Sequence, residues 1–181
     1  ANPNCASCHG AGYTSTTVAA ATHVNGTVNL SRTGCTLCHG DLAQTGVAAT
    51  SAASAPGFNA TSADSTGATA ATVAGVGAHA AHLNGTRWRG TALACNECHT
   101  VPAAADVAHA TGTGTGGARA TVIFGTLART GGITTATYAG STTAANGTAA
   151  GTCSNTYCHG NFAGSGATGA ISWTGGVAAA S

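Results

Sequence analysis

The chain has 181 residues, a formal net charge of +1 and only 5% charged residues, and its five scattered Arg with no Lys argue against a surface for nucleic acid or anionic membranes. Ala, Thr and Gly fill 103 positions, whereas Val, Leu, Ile and Phe fill 22, about 12%, which is below the roughly 20% at which burying a core becomes difficult. No apolar run approaches the roughly 20 residues of a membrane span, and the low charge is not typical of a disordered chain, so something besides aliphatic packing must organise the fold.

Eight cysteines form four pairs along the chain, and a histidine directly follows each pair. The four motifs are Cys5, Cys8 and His9; Cys35, Cys38 and His39; Cys95, Cys98 and His99; and, with four residues between the thiols, Cys153, Cys158 and His159. A disulfide scaffold or a zinc site gives no reason for a histidine after every second cysteine. The pattern predicts four covalently bound c-type haems, each held by two thioethers and a proximal histidine. In the fourth motif, the two extra residues must bulge out of the loop.

Four further histidines remain, which is one for each predicted haem. They are His23, His79, His82 and His109. The sixth ligand of a c-type haem iron is ordinarily Met, Lys or His, and the chain contains neither Met nor Lys, so elimination assigns these histidines to the distal positions. The alternatives are that a spare histidine is simply hydrogen-bonded or exposed, that it binds a haem of a neighbouring chain, or that the amine of Ala1 replaces it.

Two imidazoles on every iron leave no open coordination position for a substrate. We therefore expect low-potential electron transfer and not an enzyme. A reductase would require at least one five-coordinate haem.

The sequence predicts one domain over 1–181 with little regular structure. It consists of four consecutive sub-units, each with one haem: 1–30, 31–78, 79–118 and 119–181. The expected fold is mostly irregular coil with short helices and at most a small β-hairpin, wrapped around the four haems. Small-residue stretches at 41–78, 110–118 and 139–152 predict coil. His79 and His82 lie three apart on a predicted short helix, where they would reach two different haems. Further along, the β-branched segment Arg119–Phe124 predicts a strand that pairs with Ile133–Tyr138 in a hairpin.

The fourth motif, Cys153–Gly160, together with Ala78–Leu83 and Val107–His109, resembles the CxxxxCH/CxxCH multihaem cytochromes of metal-reducing bacteria over roughly residues 1–160. The resemblance implies haem-based electron transfer outside the inner membrane, with the cysteines and histidines above as ligands. Some extracellular multihaem cytochromes assemble into filaments with a continuous chain of haems, and this sequence is compatible with such a subunit.

Two alternatives to a filament stay open: a discrete protein that shuttles electrons, and a multihaem reductase. The expected partners are copies of the chain itself, other redox proteins or extracellular electron acceptors, without nucleic acid or a membrane span. The start at Ala1, with no charged or apolar leader, predicts a processed product. Since c-type haem is attached outside the cytoplasmic membrane, the expected location is extracellular or at the cell surface, with the periplasm as the alternative.

Overall fold

The computed structural model describes residues 17, 35–44, 47–48, 50–84, 89–103, 106, 109, 122–140, 151–163 and 169–174. The regular elements in these ranges are the helix α1 (His79–Leu83), the strands β1 (Thr137–Ala139), β2 (Thr152–Ser154) and β3 (Ile171–Ser172), and 3₁₀ turns at Cys35–Leu37, Ala52–Ser54, Cys95–Glu97 and Tyr157–His159. Apart from His109, which is helical, and two isolated β-bridges, the rest of the described chain is turns and irregular backbone, which confirms the prediction of little regular structure. Within the described ranges, no helix has the length and apolar character needed to cross a bilayer.

The three strands form one antiparallel sheet in the order β1-β2-β3. Tyr138 of β1 lies opposite Cys153 of β2, and Cys153 lies opposite Ile171 of β3 on the other side. The first cysteine of the fourth motif therefore lies in the central strand. A tyrosine and an isoleucine, both frequent in strands, flank it across the ladder.

The prediction of a hairpin between Arg119–Phe124 and Ile133–Tyr138 is wrong for the described residues 122–124, which do not pair with the second segment; positions 119–121 lie outside the described residues. The end of the first segment instead bonds to the third cysteine motif: Ile123 N–H donates to the Cys98 carbonyl at 2.9 Å, and Gly125 N–H donates to the Glu97 carbonyl at 2.8 Å. Val122 forms an isolated antiparallel bridge with His99. With these hydrogen bonds made, β1 pairs with β2, and the sheet has three strands where at most a hairpin was expected.

A small apolar cluster joins the 122–136 segment to the sheet. Phe124, Ala128 and Ala136 are buried in it, and Val122, Ile133, Tyr138 and Cys153 pack around them. Three buried side chains, two of them alanines, make a small core, as the scarcity of aliphatic residues predicts. The cluster nevertheless fixes the approach of the 122–136 segment to Cys153.

Asp41 connects the second cysteine motif to the loop that follows it. Its carboxylate accepts hydrogen bonds from Gln44 Nε2 at 2.9 Å, Asn59 Nδ2 at 3.0 Å and Ala43 N–H at 3.1 Å. These donors, with Gln44 contributing most, lower the pKa of Asp41 from its ordinary value of 3.8. Gly40, next to it, pairs with Ala63 in an isolated antiparallel bridge. The 41–63 segment is thereby folded back against His39.

Candidate cofactor-binding site

Each of the three described cysteine motifs contains a 3₁₀ turn of its own. In the second and third motifs the turn begins at the first cysteine, over Cys35–Leu37 and Cys95–Glu97. In the fourth motif the turn is Tyr157–His159 and carries the second cysteine, Cys158. The six described cysteines, Cys35, Cys38, Cys95, Cys98, Cys153 and Cys158, are all thiols.

The wider spacing of the fourth motif is accommodated by a strand and a left-handed turn. Cys153 belongs to β2, and Asn155 then has a φ of 56°, a conformation that asparagine tolerates better than most residues. The 3₁₀ turn follows and is closed by Gly160, whose φ is 99°. The chain thus changes direction between the two thiols instead of continuing along one turn.

The third and fourth motifs are neighbours in space. Burial, and then the nearby Cys153 and Cys158, raise the pKa of Cys98 to about 11. Burial also raises the pKa of Cys35, Cys95, Cys153 and Cys158. Burial therefore favours the neutral thiol over the thiolate at these five cysteines.

Each described motif histidine lies beside one of the histidines outside the motifs. The ring centroids are 6.4 Å apart for His39 and His109, 6.1 Å for His99 and His79, and 6.0 Å for His159 and His82. The interplanar angles of these pairs are 84°, 43° and 78°. Each of the six described histidines belongs to one pair, and each pair combines one predicted proximal ligand with one predicted distal ligand.

These distances match two imidazoles on opposite sides of one metal ion. A metal–nitrogen bond of about 2 Å on each side, plus about 1 Å from each nitrogen to its ring centroid, gives a centroid separation of about 6 Å. Aromatic rings in direct contact have similar separations, roughly 4.5–7 Å. The feature that favours ligation is therefore the pairing pattern, because unselective ring packing has no reason to join a motif histidine to a non-motif histidine three times.

Three of the histidines are also held in a tautomer that leaves Nε2 free to bind a metal. His39 Nδ1–H donates to the Ser54 carbonyl at 2.7 Å, His79 Nδ1–H to Val76 at 2.8 Å, and His82 Nδ1–H to Ala78 at 2.9 Å. A carbonyl oxygen can only accept, so the proton is on Nδ1 and the Nε2 lone pair is available. Ligand histidines in metalloproteins are oriented by this kind of bond.

His79 and His159, members of two different pairs, have lowered pKa values. Burial is the main cause that lowers the pKa of His79 to about 4, followed by the charge of His99 and, further down, those of His82 and His39. Burial and His82 likewise lower the pKa of His159. A lowered pKa favours the neutral ring, which is the form in which imidazole binds a metal. The effects of His82 and His39 on His79 also place histidines of all three pairs near one another.

The described residues contain no group of three or more His, Cys, Asp or Glu side chains arranged to hold a metal ion. A structural zinc site needs four such ligands, so histidines in pairs do not provide one. A haem iron receives four nitrogens from its macrocycle and only two ligands from the protein. A histidine pair next to a Cys-Cys-His motif fits that cofactor, with the thiols as attachment points.

Two structural features of the site were missed by the sequence reasoning. Trp173 contacts both His79 and His82, and Gly40 follows His39 with a φ of 82° in close contact with Ser54. Glycine follows the motif histidine three times, at positions 10, 40 and 160, and this recurrence is the sequence signal for a special backbone position there. For Trp173 the available signal is only its rarity, since the chain has two tryptophans.

The structure does not describe the first motif or the remaining histidine; Cys5, Cys8, His9 and His23 lie outside the described residues.

No family model matches the chain, and neither does any curated protein or solved structure compared with it.

Proposed function

We propose that the chain is a tetrahaem c-type electron-transfer protein in which two histidines bind every iron. The observation that carries the proposal is the set of three histidine pairs at 6.0–6.4 Å, each formed by one motif histidine and one other histidine. We assign the ligand sets from these pairs as His39 with His109, His99 with His79, and His159 with His82. Eliminating these six leaves His9 and His23 for the haem of the first motif.

Bound haem supplies an iron that exchanges one electron between its ferric and ferrous states. The residues of this chain hold the cofactor and orient its ligands. The carbonyls of Ser54, Val76 and Ala78 fix three imidazoles with Nε2 available. If the two histidines of each pair both bind the iron, a substrate would find no free position on it, which favours electron transfer over catalysis.

The spacing of the ligands supports transfer from one haem to the next. His79 and His82 share the five-residue helix α1 but belong to different pairs. The thiols of the corresponding motifs are also close, since Cys153 and Cys158 both act on the pKa of Cys98. Two haems held in this way would be neighbours, and neighbouring haems are what a protein needs to conduct electrons along its length.

The finer proposal is that the chain is the repeating subunit of an extracellular conductive filament. Its support is that only 5% of the residues are charged, so the polypeptide surface carries few charges that would repel further copies. The alternative is a discrete shuttle in the periplasm or on the outer surface, with the same four haems. A reductase is the third candidate, and it differs in needing one haem with an open axial position.

The test is to produce the chain in a host that attaches c-type haem and to measure the intact mass, the absorption spectrum and carbon monoxide binding. We expect a mass increase of four haems, an entirely low-spin oxidised spectrum, and no carbon monoxide complex in the reduced protein. Replacing Cys35 and Cys38 with Ala should remove one haem from the mass. A chain without covalent haem would contradict the proposal, whereas a high-spin component in the unaltered protein would favour the reductase.

Electron microscopy of the same preparation separates the finer alternatives. Filaments support the repeating subunit, and isolated small particles support the shuttle.

A further inference from the structure

Trp173 is the side chain that connects two of the histidine pairs. Its ring centroid lies 4.9 Å from that of His79 with the planes at 90°, and 5.9 Å from that of His82 with the planes at 23°. It therefore meets one imidazole with edge-to-face geometry and lies nearly parallel to the other. Both arrangements are favourable for aromatic rings at these separations. His79 pairs with His99 and His82 with His159, so one indole touches a member of each pair.

Two hydrogen bonds hold Trp173 in place. Trp173 Nε1–H donates to the Ala74 carbonyl at 2.7 Å, and its backbone N–H donates to the Gly151 carbonyl at 2.7 Å. The first bond ties the ring to the segment that leads into α1, and the second ties the backbone to the residue before β2. Trp173 directly follows β3, so the sheet and the helix meet at this residue.

Gly77 makes the close approach of the indole possible. A Cβ at this position would overlap the Trp173 ring at Nε1, Cε2 and Cδ1, and the φ of Gly77 is 46°, where side chains other than hydrogen are unfavourable. Val76, the residue before it, is almost completely buried, and its carbonyl holds His79 Nδ1. The backbone that orients a histidine ligand is therefore the same backbone against which the indole packs.

A ring in contact with an imidazole restricts rotation about the Cβ–Cγ bond of the histidine. The Nδ1 hydrogen bonds of His79 and His82 define one axis of each imidazole, and the indole limits the remaining rotation on one side. The orientation of an axial imidazole plane is one of the properties by which the protein tunes a haem iron, along with burial and hydrogen bonding. A single contact with two ligands extends this control to two irons.

We propose that Trp173 is a positioning residue that sets the ring orientation of the distal ligands of two haems, those of the third and fourth motifs. This rests on the proposed function, because it needs His79 and His82 to bind iron. Trp173 acts through the histidines and is not a ligand. Its substitution should change two haems and leave the other two as they are.

The test is electron paramagnetic resonance of the fully oxidised holoprotein, which reports the ligand geometry of each low-spin iron. In Trp173→Leu we expect two of the four low-spin components to shift their largest g-value, with the haem number per chain unchanged by mass. Trp173→Phe keeps an aromatic face but loses the bond to Ala74, so the same two components should shift less. Phe162→Leu is the matched control, since its exposed ring contacts Tyr157 and no histidine in the described part of the chain.

The outcomes separate this inference from the proposed function. Absence of any low-spin component in the unaltered protein would contradict the proposed function itself. Four low-spin components that do not shift in either Trp173 variant would overturn only the positioning role. A change of all four components in both variants would also overturn it, because it would indicate a general effect on the fold.

Discussion

His109 and His39 lie with their ring centroids 6.4 Å apart and their planes at 84°, although one belongs to the second cysteine motif and the other is far along the chain. Among the described residues, His109 Nδ1 is buried without a hydrogen-bond partner, whereas His39 Nδ1 donates to Ser54. The two rings approach from separate segments. Removal of the His109 ring therefore breaks no Nδ1 hydrogen bond within the described residues.

His109→Ala should leave four haems attached but convert one of them to a high-spin form that binds carbon monoxide when reduced. The reason is that one iron loses its sixth ligand while its thioethers and His39 remain. Absorption spectroscopy and carbon monoxide titration of the holoprotein measure this. His109→Met is the matched variant: it should stay low-spin and raise the potential of one haem, because thioether ligation gives a higher potential than imidazole. An unchanged His109→Ala spectrum would remove His109 from the ligand set.

Gly40→Ala should destabilise the protein by about 2 to 4 kcal/mol, since it adds overpacking to backbone strain. The φ of Gly40 is 82°, and a Cβ there would overlap the Ala53 carbonyl and lie 2.8 Å from the Ser54 carbonyl oxygen, which holds His39. Gly131→Ala is the control, because Gly131 has a φ of 78° but a Cβ there would meet no atom of the described residues within 4 Å. It should cost about 1 kcal/mol. Denaturant unfolding of both variants compares the two effects, and equal losses would contradict the role of the Ser54 contact.

Local sequence patterns predict some features of this fold and leave others without a signal. The Cys-x-x-Cys-His spacing and the scarcity of aliphatic residues are local or compositional, and they predicted irregular backbone with short helices at the attachment sites, where the structure has 3₁₀ turns. The partner of β1 was not predictable in this way, since Tyr138 pairs with Cys153 across residues whose composition predicts only coil. The pairing of His39 with His109 and the contact of Trp173 with α1 depend on long-range approach, for which these sequence patterns contain no signal.

Asn155→Val should destabilise the fourth motif, whereas Asn155→Gly should be tolerated. Asn155 has a φ of 56°, and a β-branched residue in this left-handed conformation costs roughly 1 to 2 kcal/mol, while glycine adopts it freely. The expected results are a lower unfolding midpoint and incomplete attachment of one haem for valine only. Thermal unfolding and intact mass measure them. Complete haem attachment and wild-type stability in Asn155→Val would argue that this turn does not position Cys153 and Cys158.

Acid should weaken the hydrogen-bonded network around Asp41. The pKa of Asp41 is lower in the folded chain than its ordinary value of 3.8, so its contribution is present above that pH and is lost as the pH falls through the lower folded value. Asp41→Asn should therefore flatten the fall of stability with pH in this acid range. Gln44→Ala, which removes the largest cause of the shift, should flatten it partly. Denaturant unfolding at a series of pH values measures how the free energy of unfolding changes with pH. Parallel curves for the unaltered protein and the two variants would contradict the role of Asp41 in this acid dependence.

The two histidines of α1 allow the ligand assignment itself to be tested by combining variants. His82→Ala and His79→Ala should each produce one high-spin haem, because His82 pairs with His159 and His79 with His99. Replacing Cys153 and Cys158 with Ala removes the fourth haem. On that background His82→Ala should add no high-spin signal, since its iron is gone, whereas His79→Ala should still add one. Carbon monoxide binding per chain measures both. The opposite result, in which His82→Ala adds a high-spin haem on that background and His79→Ala does not, would mean that the two distal ligands are exchanged. His79 would then be assigned to the haem of the fourth motif.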